Sequence, residues 1–108
     1  MSVPPARPRL LVSLDYEPWF TRNDPDEAAV ILPPAEAILA CCEQDGAPAT
    51  LFVDVLALER LRAVGQGGVA DAIAAQVRAA VARGHDAQLH LHPHWLAAEQ
   101  VDGAWRFP

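Results

Sequence analysis

The sequence predicts a mixed α/β fold in which short parallel strands alternate with amphipathic helices. Three observations carry that expectation. Arg9–Leu14, Ala49–Val55 and Ala87–Leu91 are short apolar runs without clean alternation, the pattern of strands covered on both faces, as in a parallel sheet. Between them lie Ala35–Glu43 and Val69–Arg83, which have helical spacing and helix-forming composition. Glycine or proline punctuates the junctions, and strands alternating with helices along a whole chain indicate β-α units wound in one direction.

Residues 1–8, with Pro4, Pro5 and Pro8, read as an extended lead-in, and residues 9–108 as one folded unit. The first strand runs into Asp15-Tyr16-Glu17-Pro18, where proline ends the ladder. The polar stretch from Phe20 to Leu32 reads as a loop over a strand end. A helix is expected after Pro33-Pro34, because proline is tolerated at a helix start; Ile38, Leu39 and Cys42 form its apolar face and Gly46 its stop. The second strand has Pro48 at its entrance and Asp54 near its exit. Leu56–Val64 is expected to be a short helix, and Gly65-Gln66-Gly67-Gly68 a turn that matches no phosphate-binding fingerprint. The next helix turns Ile73, Val77, Ala80 and Val81 to one side and stops at Gly84. Beyond Trp95, Leu96–Val101 is expected to make a helical turn. Asp102-Gly103 signals a hairpin turn before Ala104.

Composition excludes several classes of function. The formal charge is −6, with eight basic residues, all arginine and not clustered, so neither a nucleic-acid surface nor an anionic membrane is an expected partner. The apolar run at Leu10–Leu14 is too short for a signal peptide or a membrane span, which predicts a soluble, cytoplasmic chain. Cys41 and Cys42 are adjacent on a helix and point apart, so reduced thiols are expected.

Chemistry gathers at two strand ends. All four histidines fall within His85–His94, and histidine is both the commonest metal ligand and the side chain that titrates nearest neutrality. His90 and His92, two apart on a strand, share a face; His90 and His94, four apart, straddle the turn that Pro93 imposes. Either pair would clamp one ion. Asp15 and Glu17, also two apart, close the first strand. In a wound parallel sheet the carboxyl ends of the strands meet on one rim. Two imidazoles and one carboxylate would there form a catalytic zinc-type set with a position open for water, and the other carboxylate is left to act as base.

The residues Val12-Ser13-Leu14-Asp15-Tyr16-Glu17-Pro18, Ala49-Thr50-Leu51-Phe52-Val53, and Gly84-His85-Asp86 leading to His90 and His94 resemble the opening half of a polysaccharide deacetylase domain. This is the NodB-homology group of carbohydrate esterases. The resemblance implies an irregular (β/α) barrel with a divalent ion, zinc being the one expected, held by one carboxylate and two histidines. The usual first motif, TFDDG, differs here in having Tyr16 at its second acid, but similar members carry an acid, any residue, then an acid. By that resemblance Asp15 is the base and Glu17 a ligand. The family's histidine spacing makes His90 and His94 the other ligands. His92, Trp19 and Trp95 then stand beside the ion or touch substrate.

The implied reaction is hydrolysis of an N-acetyl group on a carbohydrate. The family's later histidine acid has no counterpart after His94, and Arg106-Phe107-Pro108 is a poor match to its arginine motif. The chain is therefore expected to be the N-terminal part of a larger barrel, inactive or nearly so alone, with three strands leaving an open edge for self-association. The competing expectation is a module that binds zinc or a sugar without chemistry, Trp19 and Trp95 offering rings for stacking.

Overall fold

The computed structural model describes residues 2–18 and 26–108. Trp19 and residues 20–25, on which part of the expected loop falls, lie outside the described residues. Three strands, β1 (Val12–Tyr16), β2 (Ala49–Asp54) and β3 (Asp86–His90), form a parallel sheet in the order β1-β2-β3. α1 (Glu27–Gln44) connects β1 to β2; α2 (Val55–Ala63) and α3 (Gly67–Ala82) connect β2 to β3. A 3-10 turn (Pro93–Ala97) and an antiparallel hairpin of β4 (Glu99–Val101) and β5 (Ala104–Arg106) complete the order. The mixed α/β class and the three-stranded parallel sheet agree with the sequence expectation.

The strand boundaries follow from pairing. β1 starts at Val12, not Arg9, because Val12 pairs with Ala49 and the preceding residue of β2's chain is Pro48, which has no N–H for a ladder. Leu10 and Leu11 are consequently outside the sheet and almost fully exposed. The third strand occupies Asp86–His90, one residue earlier than Ala87–Leu91.

The largest departure is in α1. It begins at Glu27, so Pro33 and Pro34 lie inside the helix and not at its start. Two local features support the additional turns. Asp26 caps the helix by accepting from the Ala29 N–H at 3.0 Å, and Glu27, Ile31, Ala35 and Leu39 form one buried stripe that passes straight through the prolines. Leu39 is buried as expected, Cys42 is half-buried and Ile38 is exposed.

α3 starts at Gly67, taking up part of the expected glycine turn, and buries Ala70, Ile73 and Ala80; Val81 is exposed. The helical turn expected over Leu96–Val101 falls instead at Pro93–Ala97, and its second half is strand β4. The hairpin turn is at Asp102-Gly103 as expected, with φ of 52° and 77°. Both cysteines are free thiols. No helix among the described residues is long and apolar enough to cross a membrane.

The core lies between the sheet and the helices. Leu51, Val53 and Tyr16 from one sheet face meet Ile31, Ala35 and Leu39 of α1 and Ile73 and Ala80 of α3. The opposite face carries Ser13, Asp15, Thr50, Phe52, Asp86 and Gln88, of which Ser13, Asp15, Asp86 and Gln88 are exposed. Among the described residues, then, helices cover one side of the sheet only.

Candidate metal centre

The carboxyl edge of the sheet brings together three side chains that are remote in sequence. Glu17 follows the last residue of β1, His90 ends β3, and His92 lies two residues on, just before Pro93 turns the chain. Their atoms converge. The His90 Nε2 lies 3.0 Å from Glu17 Oε2, the His92 Nε2 lies 2.5 Å from the same oxygen, and the two ring nitrogens are 2.9 Å apart. The side chains are partly buried, with 22 % of Glu17 and 27 % of each histidine exposed. Among the described residues this is the one group of histidine, cysteine or acid side chains whose ligand atoms lie close enough to hold a metal ion.

Hydrogen bonding cannot satisfy all three sides of this triangle at once. The ionised carboxylate only accepts, so each imidazole must present an N–H to it; two N–H groups then face each other across 2.9 Å. If one ring gives up that proton to accept from the other, its contact with the carboxylate becomes lone pair against lone pair. A cation meets all three lone pairs together. Around a tetrahedral ion with bonds of about 2.0–2.1 Å, neighbouring ligand atoms stand about 3.3 Å apart. The observed edges of 3.0, 2.9 and 2.5 Å are all shorter, the His92–Glu17 edge most, so the side chains must spread to take an ion. Two nitrogens and one oxygen are a donor set suited to zinc.

The remaining sequence candidates are distributed around this group. Asp15 is exposed on the same face of β1 as Glu17, about 6.6 Å away along the strand by extended-chain geometry. His94 is not in the group. Its ring sits 5.3 Å from that of His92, 4.8 Å from Phe107 and 5.6 Å from Trp95, which makes it the margin of an aromatic cluster. The alternation of strand geometry explains the difference: His90 and His92 remain in extended backbone and point the same way, whereas His94 is carried round by the 3-10 turn.

Trp95 is wholly buried, edge-on to Trp105 at 4.9 Å and to Phe107 at 5.0 Å. Its ring therefore packs in the core of the described residues, with no face open to solvent. Arg60 of α2 holds this turn in place by donating from Nε to the Trp95 carbonyl at 3.0 Å and from Nη2 to the Leu96 carbonyl. The Trp105 indole N–H donates to the buried carboxylate of Glu27 at 2.8 Å, tying the hairpin to the start of α1.

His85 is at the other end of β3, away from the metal group. Its Nδ1 accepts from the Ala49 N–H at 3.0 Å, so the ring proton sits on Nε2 and points at Glu43 Oε1, also 3.0 Å away. It is a buried link between β2 and the end of α1. Glu43 also accepts from Arg83 at 2.6 Å, and that bond, followed by the one from His85, holds its carboxyl below the ordinary glutamate range. Asp54, which the sequence placed only near a strand exit, is also at this rim of the sheet: it is almost fully buried and pairs in register with His90.

No family model, curated protein or solved structure matches the chain.

Proposed function

We propose that this chain is the opening part of a metal-dependent deacetylase, with Glu17, His90 and His92 holding a divalent ion, zinc by preference, and an N-acetylated carbohydrate as substrate. The observation that carries the reading is the triangle of Glu17 Oε2, His90 Nε2 and His92 Nε2, an arrangement frustrated as hydrogen bonds and satisfied by a cation. Its position at the carboxyl edge of a parallel sheet, where reactive groups collect in β/α folds, supports the same reading. So does the resemblance of the Asp15-Tyr16-Glu17 and Gly84-to-His94 segments to polysaccharide deacetylases. The β-α units are then the first strands of a (β/α) barrel. The exposed polar face of the sheet, with Ser13, Asp15 and Gln88, becomes part of its lumen.

A bound divalent ion supplies acidity to a water and polarisation to an acetyl carbonyl. The chain's own residues do the rest. Glu17 contributes the negative charge that draws the ion in, and the two imidazoles fix its direction. Asp15, exposed on the same face one pleat earlier, accepts the proton of the attacking water and returns it to the nitrogen as the C–N bond breaks, leaving acetate and the amine.

A zinc or cobalt titration of the chain tests the centre. One ion is expected per chain, lost in Glu17→Ala, His90→Ala and His92→Ala and kept in His94→Ala. A wild-type chain that takes up no divalent ion would sink the reading. The reaction is tested in a full-length version that continues the barrel, since this part alone is expected to be inactive or nearly so: acetate release from N-acetylated chitin oligosaccharides should be abolished in Asp15→Asn with the ion retained. An ion held by the wild-type site with no acetate released by any full-length version would mark a binding module.

A further inference from the structure

Asp54 is a buried acid that its structural role does not fully explain. Only 1 % of it is exposed. One oxygen, Oδ1, caps α2 by accepting from the Ala57 N–H at 3.4 Å. The other, Oδ2, has no hydrogen-bond partner, and the residue forms no ion pair among the described residues. A cap needs no charge, since asparagine and serine serve as well as aspartate. A buried carboxylate without a counter-charge is costly, so a cap alone would not favour aspartate at this position.

Its location suggests where the counter-charge belongs. β2 is the central strand, and Asp54 pairs with His90 on one side. On the other side Tyr16 pairs with Val53, so Glu17 follows beside Asp54. Neighbouring strands are about 4.8 Å apart, which puts Asp54 in one row between two members of the metal group. Asp54 and Glu17 also border the same small cavity with Tyr16, Pro18 and Ile73.

We infer that Asp54 is a positioning carboxylate of the ion centre, supplying from beneath it a second negative charge beside that of Glu17, which strengthens the hold on a divalent ion. It does not join the triangle of ligand atoms; it acts on the ion across the row. The inference rests on the metal reading of Glu17, His90 and His92. It extends that reading to a residue at which an acid would otherwise be a liability.

The test is zinc affinity, measured by competition with a chromophoric chelator, in Asp54→Asn and Asp54→Ser. Both variants retain a capping oxygen and remove the charge. Each is expected to bind zinc 10- to 100-fold more weakly, the range for lost outer partners of a metal site. The urea midpoint of the metal-free protein should be unchanged or higher, because an uncompensated charge has gone. Unchanged zinc affinity in a folded variant of either kind overturns the inference and leaves the metal centre standing. A wild-type chain that fails to bind zinc overturns both. If Asp54→Asn does not fold, Asp54→Ser still gives the measurement, and failure of both to fold shows a purely structural acid and overturns the inference.

Discussion

At the scale of single residues, the four histidines divide by the partners that their backbone positions allow. His85 has both ring nitrogens engaged, on the Ala49 N–H and Glu43, and Glu43 is shared with Arg83. Because Arg83 and then His85 hold the Glu43 carboxyl below its ordinary range, the folded state binds a proton there less readily than the unfolded chain. The stabilisation is therefore complete above the ordinary glutamate pKa and is lost as pH falls through the depressed one. Glu43→Gln should lower the urea midpoint at pH 7, and the gap from wild type should close as the pH drops below about 4. A gap that stays constant down to pH 3 would show that the charge contributes nothing. The clustering of histidines and acids at strand ends was legible in the sequence, since proline and the apolar runs mark those ends. Which histidine accompanies His90 was not, because the i, i+2 and i, i+4 pairs differ only in how sharply Pro93 turns the chain, and that depends on Arg60 clamping the Trp95 and Leu96 carbonyls from another helix.

At the scale of elements, α1 shows how tertiary contacts override a local rule. Two interior prolines remove two helix N–H groups and crowd the preceding turn, a cost of about 3 kcal/mol or more for an isolated interior proline. The helix continues because both sides of the prolines have something to hold. On one side are the Asp26 cap and the Trp105 bond to Glu27. Beside the prolines, Gln76 of α3 donates from Nε2 to the Leu32 carbonyl at 2.8 Å, while its Oε1 accepts from the Tyr16 hydroxyl at 2.7 Å. One amide thus joins β1, α1 and α3, and burial, followed by the nearby Glu36 charge, raises the pKa of the Tyr16 hydroxyl and keeps it protonated as the donor. Gln76→Leu keeps the bulk and removes these two bonds together with a longer one from Nε2 to Glu36 at 3.3 Å. It is expected to cost about 1–3 kcal/mol in denaturant unfolding, the range for polar groups that lose their partners in a partly buried site. A loss under about 0.5 kcal/mol would show that the prolines are tolerated without it. The capping aspartate and the four-residue repeat of Glu27, Ile31, Ala35 and Leu39 were visible in the sequence. The expectation of a helix start at Pro33-Pro34 rested on the proline rule alone and left these two signals unread, and Gln76 gave no signal because its partners lie on two other elements.

At the scale of the whole molecule, a three-stranded parallel sheet has helices on one face and, among the described residues, a single neighbour for each of β1 and β3. Parallel sheets are ordinarily covered on both faces, and an unpaired edge is a template for another strand. Exposed apolar side chains also gather at and after β3: Leu89 is 64 % exposed, and Leu91 and Leu96, beyond the strand, are 48 % and 66 % exposed. Leu89 stands in the same row as Val53 and Tyr16, which are buried, so it belongs to the core face but lies past the reach of the helices. Sequence periodicity could place Leu89 on that face but not at an uncovered edge, since coverage depends on what packs against β3. The expected consequence is concentration-dependent association through β3 in the isolated chain, seen as a rising sedimentation coefficient between low and high micromolar protein. Leu89→Lys puts a charge at the edge, the device by which natural edge strands resist pairing, and should return the chain to a monomer. Because Leu89 is on the opposite sheet face from its neighbour His90, zinc uptake by that monomer should equal that of wild type. Sedimentation as a monomer at every concentration in the wild type would show that the edge is closed to pairing, and association that survives Leu89→Lys would place the contact on the exposed polar face of the sheet instead.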